Sequence, residues 1–140
     1  MMYILDTDTI THLHAGNNKV IENIRKVDDD DLRTTIVTKI ELLRGRFDFL
    51  LKASDINQLT RAQKLLYRTE ELLSQLPILP IDQKAALQFE QFRKINKFRK
   101  IGRADMLIGC ITLANKAILV TRNVRHFHQI PGLLVKNWVD

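Results

Sequence analysis

Three apolar residues that run straight into an acid constrain this chain more than any other stretch of it. They stand near the start, in Tyr3-Ile4-Leu5-Asp6-Thr7-Asp8-Thr9-Ile10. A short apolar run stopped by polar residues predicts a buried strand of a parallel sheet. In open α/β sheets, ligands gather at the carboxyl ends of the strands. Asp6 is therefore expected at the rim where chemistry takes place, with Thr7, Asp8 and Thr9 opening a helix. A carboxylate at such a rim is costly unless a cation or hydrogen bonds stabilise it. Asp8 or Thr9 is the expected N-cap of that helix. Asp6 is not, because caps follow strands and seldom end them.

The remaining chain alternates between the two periods. Helices are predicted over 9–14 and 19–26, and a strand over 33–37. Thr38 then has Glu41 three residues on, the S/T-x-x-E pattern of a capping box, which gives Glu41 a structural role to set against a chemical one. Ile40, Leu43, Phe47, Leu50 and Leu51 give the following helix an apolar stripe. A break at Ala53-Ser54-Asp55 leads into a long helix reaching about Gln75, with Ile56, Leu59, Ala62, Leu65, Leu66, Leu72 and Leu73 at helical spacing. The two helices form a hairpin that serves either as a partner surface or as core packing. Pro77-Ile78-Leu79-Pro80 is a short strand. Asp82 caps a helix over 83–97 that buries Ala86, Phe89 and Phe92. A helix over 103–115 precedes strands over 118–121 and 133–135. Strands alternating with helices give an α/β fold, a doubly wound central parallel sheet of four to five strands flanked by helices, with right-handed connections. The expected organisation is one domain, residues 1–140.

Several classes are excluded at this level. Cys110 is the only cysteine, so no disulfide framework or thiolate zinc site can form within the chain. It lies in an apolar helical stretch, as a packed core thiol does. No basic leader and no apolar run of about 18 residues is present, so neither a signal peptide nor a membrane span is expected and the location is cytoplasmic. The 22 Lys and Arg against 16 Asp and Glu give a net charge of +6, which favours an anionic partner, nucleic acid first. Asp28 to Asp31, four acids in a row, read as a solvated turn. His12, His14, His126 and His128 form pairs at i and i+2, which point to different sides of a helix. They are taken as surface or loop residues, and Trp138 as buried against the last strand.

The acids converge. Asp6 ends the first strand, Glu41 lies early in the helix after the second, and Asp105 opens the helix before the fourth, where the helix dipole helps it stay ionised. Thr121 and Asn123 follow the fourth strand. Parallel strands place these positions at one rim. Three carboxylates in one cleft raise each other's pKa, and a hard divalent cation, Mg²⁺ or Mn²⁺, relieves that. Such an ion can activate water for displacement at phosphorus. Just before Asp105 come Arg93, Lys94, Lys97, Arg99, Lys100 and Arg103, with Phe92, Ile95 and Phe98 interleaved. A basic edge beside an acidic cleft suits a substrate that carries a chain of phosphates, so these six are the expected RNA-binding residues.

The opening also matches hhhDxDxT, the first motif of the haloacid-dehalogenase-like phosphatases. That family needs later acids for its metal, and this chain has no Asp or Glu between Met106 and Val139. A different resemblance runs nearly the whole chain. Met2-Tyr3-Ile4-Leu5-Asp6-Thr7-Asp8, Thr38-Lys39-Ile40-Glu41-Leu42, Gly102-Arg103-Ala104-Asp105-Met106-Leu107-Ile108 and Leu119-Val120-Thr121-Arg122-Asn123 resemble, in that order and spacing, a PIN-domain ribonuclease of the VapC toxin type. The tail from Phe127-His128-Gln129-Ile130-Pro131-Gly132-Leu133 to Asn137-Trp138 resembles the initiator-tRNA-specific subgroup. The resemblance implies metal-dependent hydrolysis of an RNA phosphodiester, with tRNA as substrate. It implies Asp6, Glu41 and Asp105 as the acidic core, with Asp6 and Asp105 the surest metal ligands. Thr121 is the implied hydroxyl that helps hold them. It further implies a homodimer and a cognate VapB-type antitoxin. Two departures stand out. Asn123 occupies a position where many members have a fourth acid, and His126 one where subgroup relatives often have an acid. A PIN-fold RNA-binding or regulatory module that has lost catalysis is the alternative.

Overall fold

Strands buried on both faces of a parallel sheet must be apolar throughout, and the two central strands of this chain, Tyr3–Leu5 and Ile118–Val120, meet that demand. The computed structural model describes residues 1–140. In chain order the elements are β1 (Tyr3–Leu5), α1 (Thr7–His14), α2 (Asn18–Arg25), β2 (Leu32–Thr35), α3 (Ile36–Lys52) and α4 (Ile56–Gln75), then β3 (Ile78–Leu79), α5 (Gln83–Phe92), α6 (Arg103–Ala114), β4 (Ile118–Val120), α7 (Val124–Phe127) and β5 (Leu134–Lys136). All strand pairs are parallel, in the order β3-β2-β1-β4-β5. The register sets Tyr3 opposite both Leu32 and Ile118, and Leu5 opposite Val120.

The strand period of two divides the core. Ile4 and Leu119 face α5 and α6, in one cluster with Ile108, Ile111, Phe127 and Ile130. Leu5 and Val120 point to the other face, in a cluster with Ile10, Leu42, Leu73 and Trp138. Trp138 is buried as expected and packs on Tyr3 at 5.3 Å. Close approach of the last segment to α6 depends on Gly109, where a Cβ would stand 2.9 Å from Ile130 Cδ1.

The order places the topological switch between β1 and β4: from β1 the chain winds outward to β2 and β3, and it returns on the other side to β4 and β5. Crevices for ligands open at such switch points, outside the carboxyl ends of the strands. Asp6 and Thr121 are the first residues beyond β1 and β4.

Beyond shifts of a residue or so at other ends, three boundaries differ from the sequence-based expectation for a local reason. α1 begins at Thr7, not at residue 9, and its cap is Asp6, whose carboxylate accepts the Thr9 N–H at 2.8 Å. β2 stops at Thr35, whose extended backbone and side chain cap α3 by accepting the Thr38 N–H at 3.1 Å. Thr38 is thus inside the helix and buried, and the capping box proposed for Glu41 does not form. α5 ends at Phe92, five residues before the expected residue 97, and buries Ala85 in place of Ala86. Continuing it would set Arg93 and Lys97 one turn apart with like charges. The chain instead turns through a 3₁₀ segment, Asn96–Phe98, that buries Phe98 5.3 Å from Phe92.

The hairpin of α3 and α4 is as expected, with Asp55 capping α4 through the Gln58 N–H at 2.8 Å. Thr69 ties the two helices together, accepting from Arg46 Nε at 3.0 Å. Its far end leaves Leu51 83% and Ile56 81% exposed. The acid run forms an exposed 3₁₀ turn, Asp29–Asp31. No helix is long and apolar enough to cross a membrane.

Candidate active site

A cleft of about 520 Å³ opens at the switch point, lined by Asp6, Thr7, Asp8 and Thr11 from β1 and α1, Glu41 from α3, Asp105 and Ile108 from α6, and Arg122, Asn123 and Phe127 from the segment after β4. The three acids expected to converge do so, although they are separated by up to 99 positions in sequence (105 minus 6).

Asp6 is the most constrained. It is only 7% exposed, its N–H donates to Val120 O at 3.1 Å, and its carboxylate caps α1. Burial raises its pKa; hydrogen bonding from the Thr121 hydroxyl and from Thr9 opposes the rise, and the charge of Asp8 adds to it. Thr121 is fully buried and accepts the Asn123 N–H at 3.1 Å. Its own N–H donates to Lys136 O at 2.8 Å, which fixes the turn to β5.

Glu41 sits in the second turn of α3, where Thr7 donates to its Oε1 at 2.6 Å. The Thr7 and Thr38 hydroxyls are 3.2 Å apart. Two short β-branched side chains therefore hold the carboxylate across the gap between α1 and α3, with Thr38 packed behind.

Asp105, in the first turn of α6, faces Glu41. Burial raises its pKa first, with the Glu41 charge adding and His126 opposing. The net direction is upward, opposite to the help expected from the helix dipole at this position. His126 Nε2 lies 3.5 Å from Asp105 Oδ2, and that nitrogen is buried without a hydrogen-bond partner. His126 therefore stands against Asp105 from behind the cleft lining and is not the surface or loop residue its spacing suggested. His12 likewise pairs with Asp8 at 3.7 Å. The His126 contact was not legible, because its partner is chosen by tertiary placement, whereas the i, i+4 spacing of Asp8 and His12 on a surface helix was.

Arg122 was missed as well. It lines the cleft and pairs with Asp140 at 3.1 Å. Its position one residue beyond Thr121 was the available signal. Asn123 lines the cleft without capping α7 through its side chain. The six basic residues expected to bind RNA lie outside the cleft. Arg93, Arg99 and Arg103 gather around a separate hollow of about 240 Å³, Arg103 over the Phe89 ring at 5.3 Å and Lys97 over Phe98 at 5.2 Å. Lys94, Lys97 and Lys100 are exposed.

The donor set of the cleft is carboxylate, amide and hydroxyl oxygen, which suits a hard divalent cation. No three His, Cys, Asp or Glu side chains stand together as a finished ligand shell.

The PIN domain family profile matches residues 3–133. Ribonuclease VapC1 of Haemophilus influenzae is 30% identical over 142 residues, covering 99% of this chain and 98% of that protein. The tRNA(fMet)-specific endonuclease VapC of Salmonella typhimurium is 29% identical over 119 residues, covering 74% of this chain and 89% of that one. In three dimensions the chain superposes on VapBC-1 from nontypeable Haemophilus influenzae with a TM-score of 0.80, at 23% identity and 100% coverage of both chains. Sheet order, acids at the switch point and full-length identity agree: the chain belongs to the PIN-domain family, in its VapC group.

Proposed function

We propose that this chain is the endoribonuclease toxin of a type II toxin–antitoxin pair, acting in the cytoplasm as a single domain and hydrolysing RNA phosphodiesters with Mg²⁺ or Mn²⁺. The observation that carries the reading is the meeting of Asp6, Glu41 and Asp105, from three elements, in one cleft at the sheet's switch point. Burial raises the pKa of two of them, which a bound cation would reverse. Relatives named as ribonucleases over nearly their whole length support the RNA substrate, and the Salmonella relative supports tRNA. Neighbours solved as VapBC complexes support a VapB-type antitoxin as partner. The exposed apolar end of the α3–α4 hairpin supports a protein interface, for that antitoxin or for a second copy in a homodimer.

Asp6 and Asp105 are the residues that would hold the ion, with Glu41 as a further ligand or as proton acceptor. A divalent ion supplies Lewis-acid chemistry when bound, easing ionisation of water and stabilising charge that develops on phosphate oxygens. The chain's own work is positioning. Thr9 and Thr121 fix the Asp6 carboxylate, and Thr7 fixes that of Glu41. Water attacks phosphorus in line, one P–O bond forms as the opposite one breaks, the water proton passes to a cleft carboxylate, and the departing ribose oxygen takes a proton from solvent to leave as the alcohol. The Asn123 amide offers a neutral contact where an acid would add charge. Arg122 offers a guanidinium to the phosphate, and the Arg93–Arg103 stretch binds flanking backbone.

Asp6→Asn tests this directly. It should keep RNA affinity within a few-fold and reduce cleavage by at least the 10²-fold typical of a lost catalytic group. Cleavage at the wild-type rate would remove Asp6 from the mechanism.

A further inference from the structure

A second cationic surface lies along α4, separate from the basic stretch before Asp105. Along α4, the side chains of Asn57, Thr60, Arg61, Lys64 and Arg68 line a groove of about 560 Å³ with Leu65 at its base. Their spacing of three and four places them on one helix face, and from Asn57 to Arg68 that face runs about 16 Å. No carboxylate forms an ion pair with Arg61, Lys64 or Arg68, nor with Arg46 on the facing α3. Arg46 is partly buried, its one side-chain bond going to a neutral hydroxyl. His14, at the end of α1, buries an Nε2 with no hydrogen-bond partner, and burial together with the charges of Arg46 and Arg68 lowers its pKa. Exposed cations set three and four residues apart on one helix face repel one another weakly, and a bound anion relieves that.

The groove and the cleft are separate hollows, with α1 running between their linings from Thr11 to His14. Thr11 is a cleft wall. One turn further along α1 stands His14, under the charges of Arg46 and Arg68, and Arg68 opens the groove that continues through Lys64 and Arg61. We propose that this α4 groove is a second RNA-backbone site, holding phosphates of a strand that leaves the cleft along α1. The inference rests on the reading of the chain as an RNA nuclease. The groove offers point charges, an amide and a hydroxyl, the donors that contact phosphates and sugars without reading sequence. It would lengthen the footprint beyond the nucleotides being cut, which favours large folded RNAs over short ones.

The test compares wild-type protein with the triple variant Arg61→Gln, Lys64→Gln, Arg68→Gln, all exposed helix positions whose folding is checked by thermal melting. Affinity for total tRNA is measured across salt concentrations in EDTA. Each phosphate contact contributes about 0.7 to 0.9 to the slope of log affinity against log salt, so the variant's slope should fall by about 2 to 3. An unchanged slope in a folded variant overturns the groove. So does loss of affinity for a poly-glutamate peptide without loss for tRNA, which would make it a docking surface for an acidic protein segment. Failure of the nuclease reading shows separately, as wild-type protein that binds tRNA and never cuts it.

Discussion

Asp6 combines two roles that the sequence makes look exclusive. The strand ends at Leu5 and the helix starts at Thr7, so the only cap position left is the rim acid itself. Reading caps from residue type could not single out Asp6, because Asp6, Asp8 and Thr9 are all of types that cap well. Only the backbone path decides among them. One consequence can be measured. Asn caps as well as Asp, so Asp6→Asn should keep α1 and remove a buried charge. The fold raises the pKa of Asp6, so the native state binds this proton more readily than the unfolded chain does. Stability therefore falls as pH rises through the interval above the ordinary 3.8, because the native state is the one that loses more by ionisation. In EDTA, wild-type melting temperature should drop across that interval more than that of Asp6→Asn, and the variant should be at least as stable near pH 7. A parallel pair of melting curves checks both. A second residue prediction concerns Cys110. It is fully buried and its thiol is pushed up to about 11, so a thiol reagent at neutral pH should label it only as fast as the protein unfolds. Stoichiometric labelling of the native state within seconds would contradict that placement.

Among the elements, those with strong local signals were legible. The helical hairpin, its break at Ala53-Ser54-Asp55 and the cap Asp82 all stand where pattern and cap chemistry put them. The start of α3 was not, since Thr35 and Thr38 are both good caps three residues apart. Thr35 wins because its extended backbone finishes β2 while its hydroxyl takes the Thr38 N–H. Thr35→Ala should cost about 1 kcal/mol, within the roughly 0.5–2 kcal/mol range for lost caps, as read from a denaturant midpoint. The resulting freedom of Glu41 from capping matters more for function than the boundary itself. The basic stretch after α5 was expected on a helix and is instead an exposed turn built around Phe98. Its charges remain available, in a different geometry. Lys97→Glu with Lys100→Glu should weaken tRNA binding and lower its salt slope by at least about 1.5. An unchanged slope would make that stretch a solvated surface.

Across the whole molecule, strand order does what no single motif can. The sequence indicated a parallel sheet and three convergent acids; it did not indicate that β1 and β4 are neighbours, which is what sets Asp6 beside Thr121 and turns two strand ends into one crevice. Nor could it place His126 against Asp105 or Arg122 at the cleft mouth, since these follow from how α7 folds back after β4. The central claim is that this crevice cuts RNA with a divalent ion held by its carboxylates. The most direct measurement incubates the purified, antitoxin-free protein with total tRNA in Mg²⁺, in Mn²⁺ and in EDTA, beside Asp105→Ala. The account predicts discrete fragments in either metal, none in EDTA, and none from the variant. Intact tRNA in every lane, from a protein that melts cooperatively and binds tRNA, would contradict it and leave a PIN-fold RNA-binding module in which Asn123 stands where a fourth acid is missing.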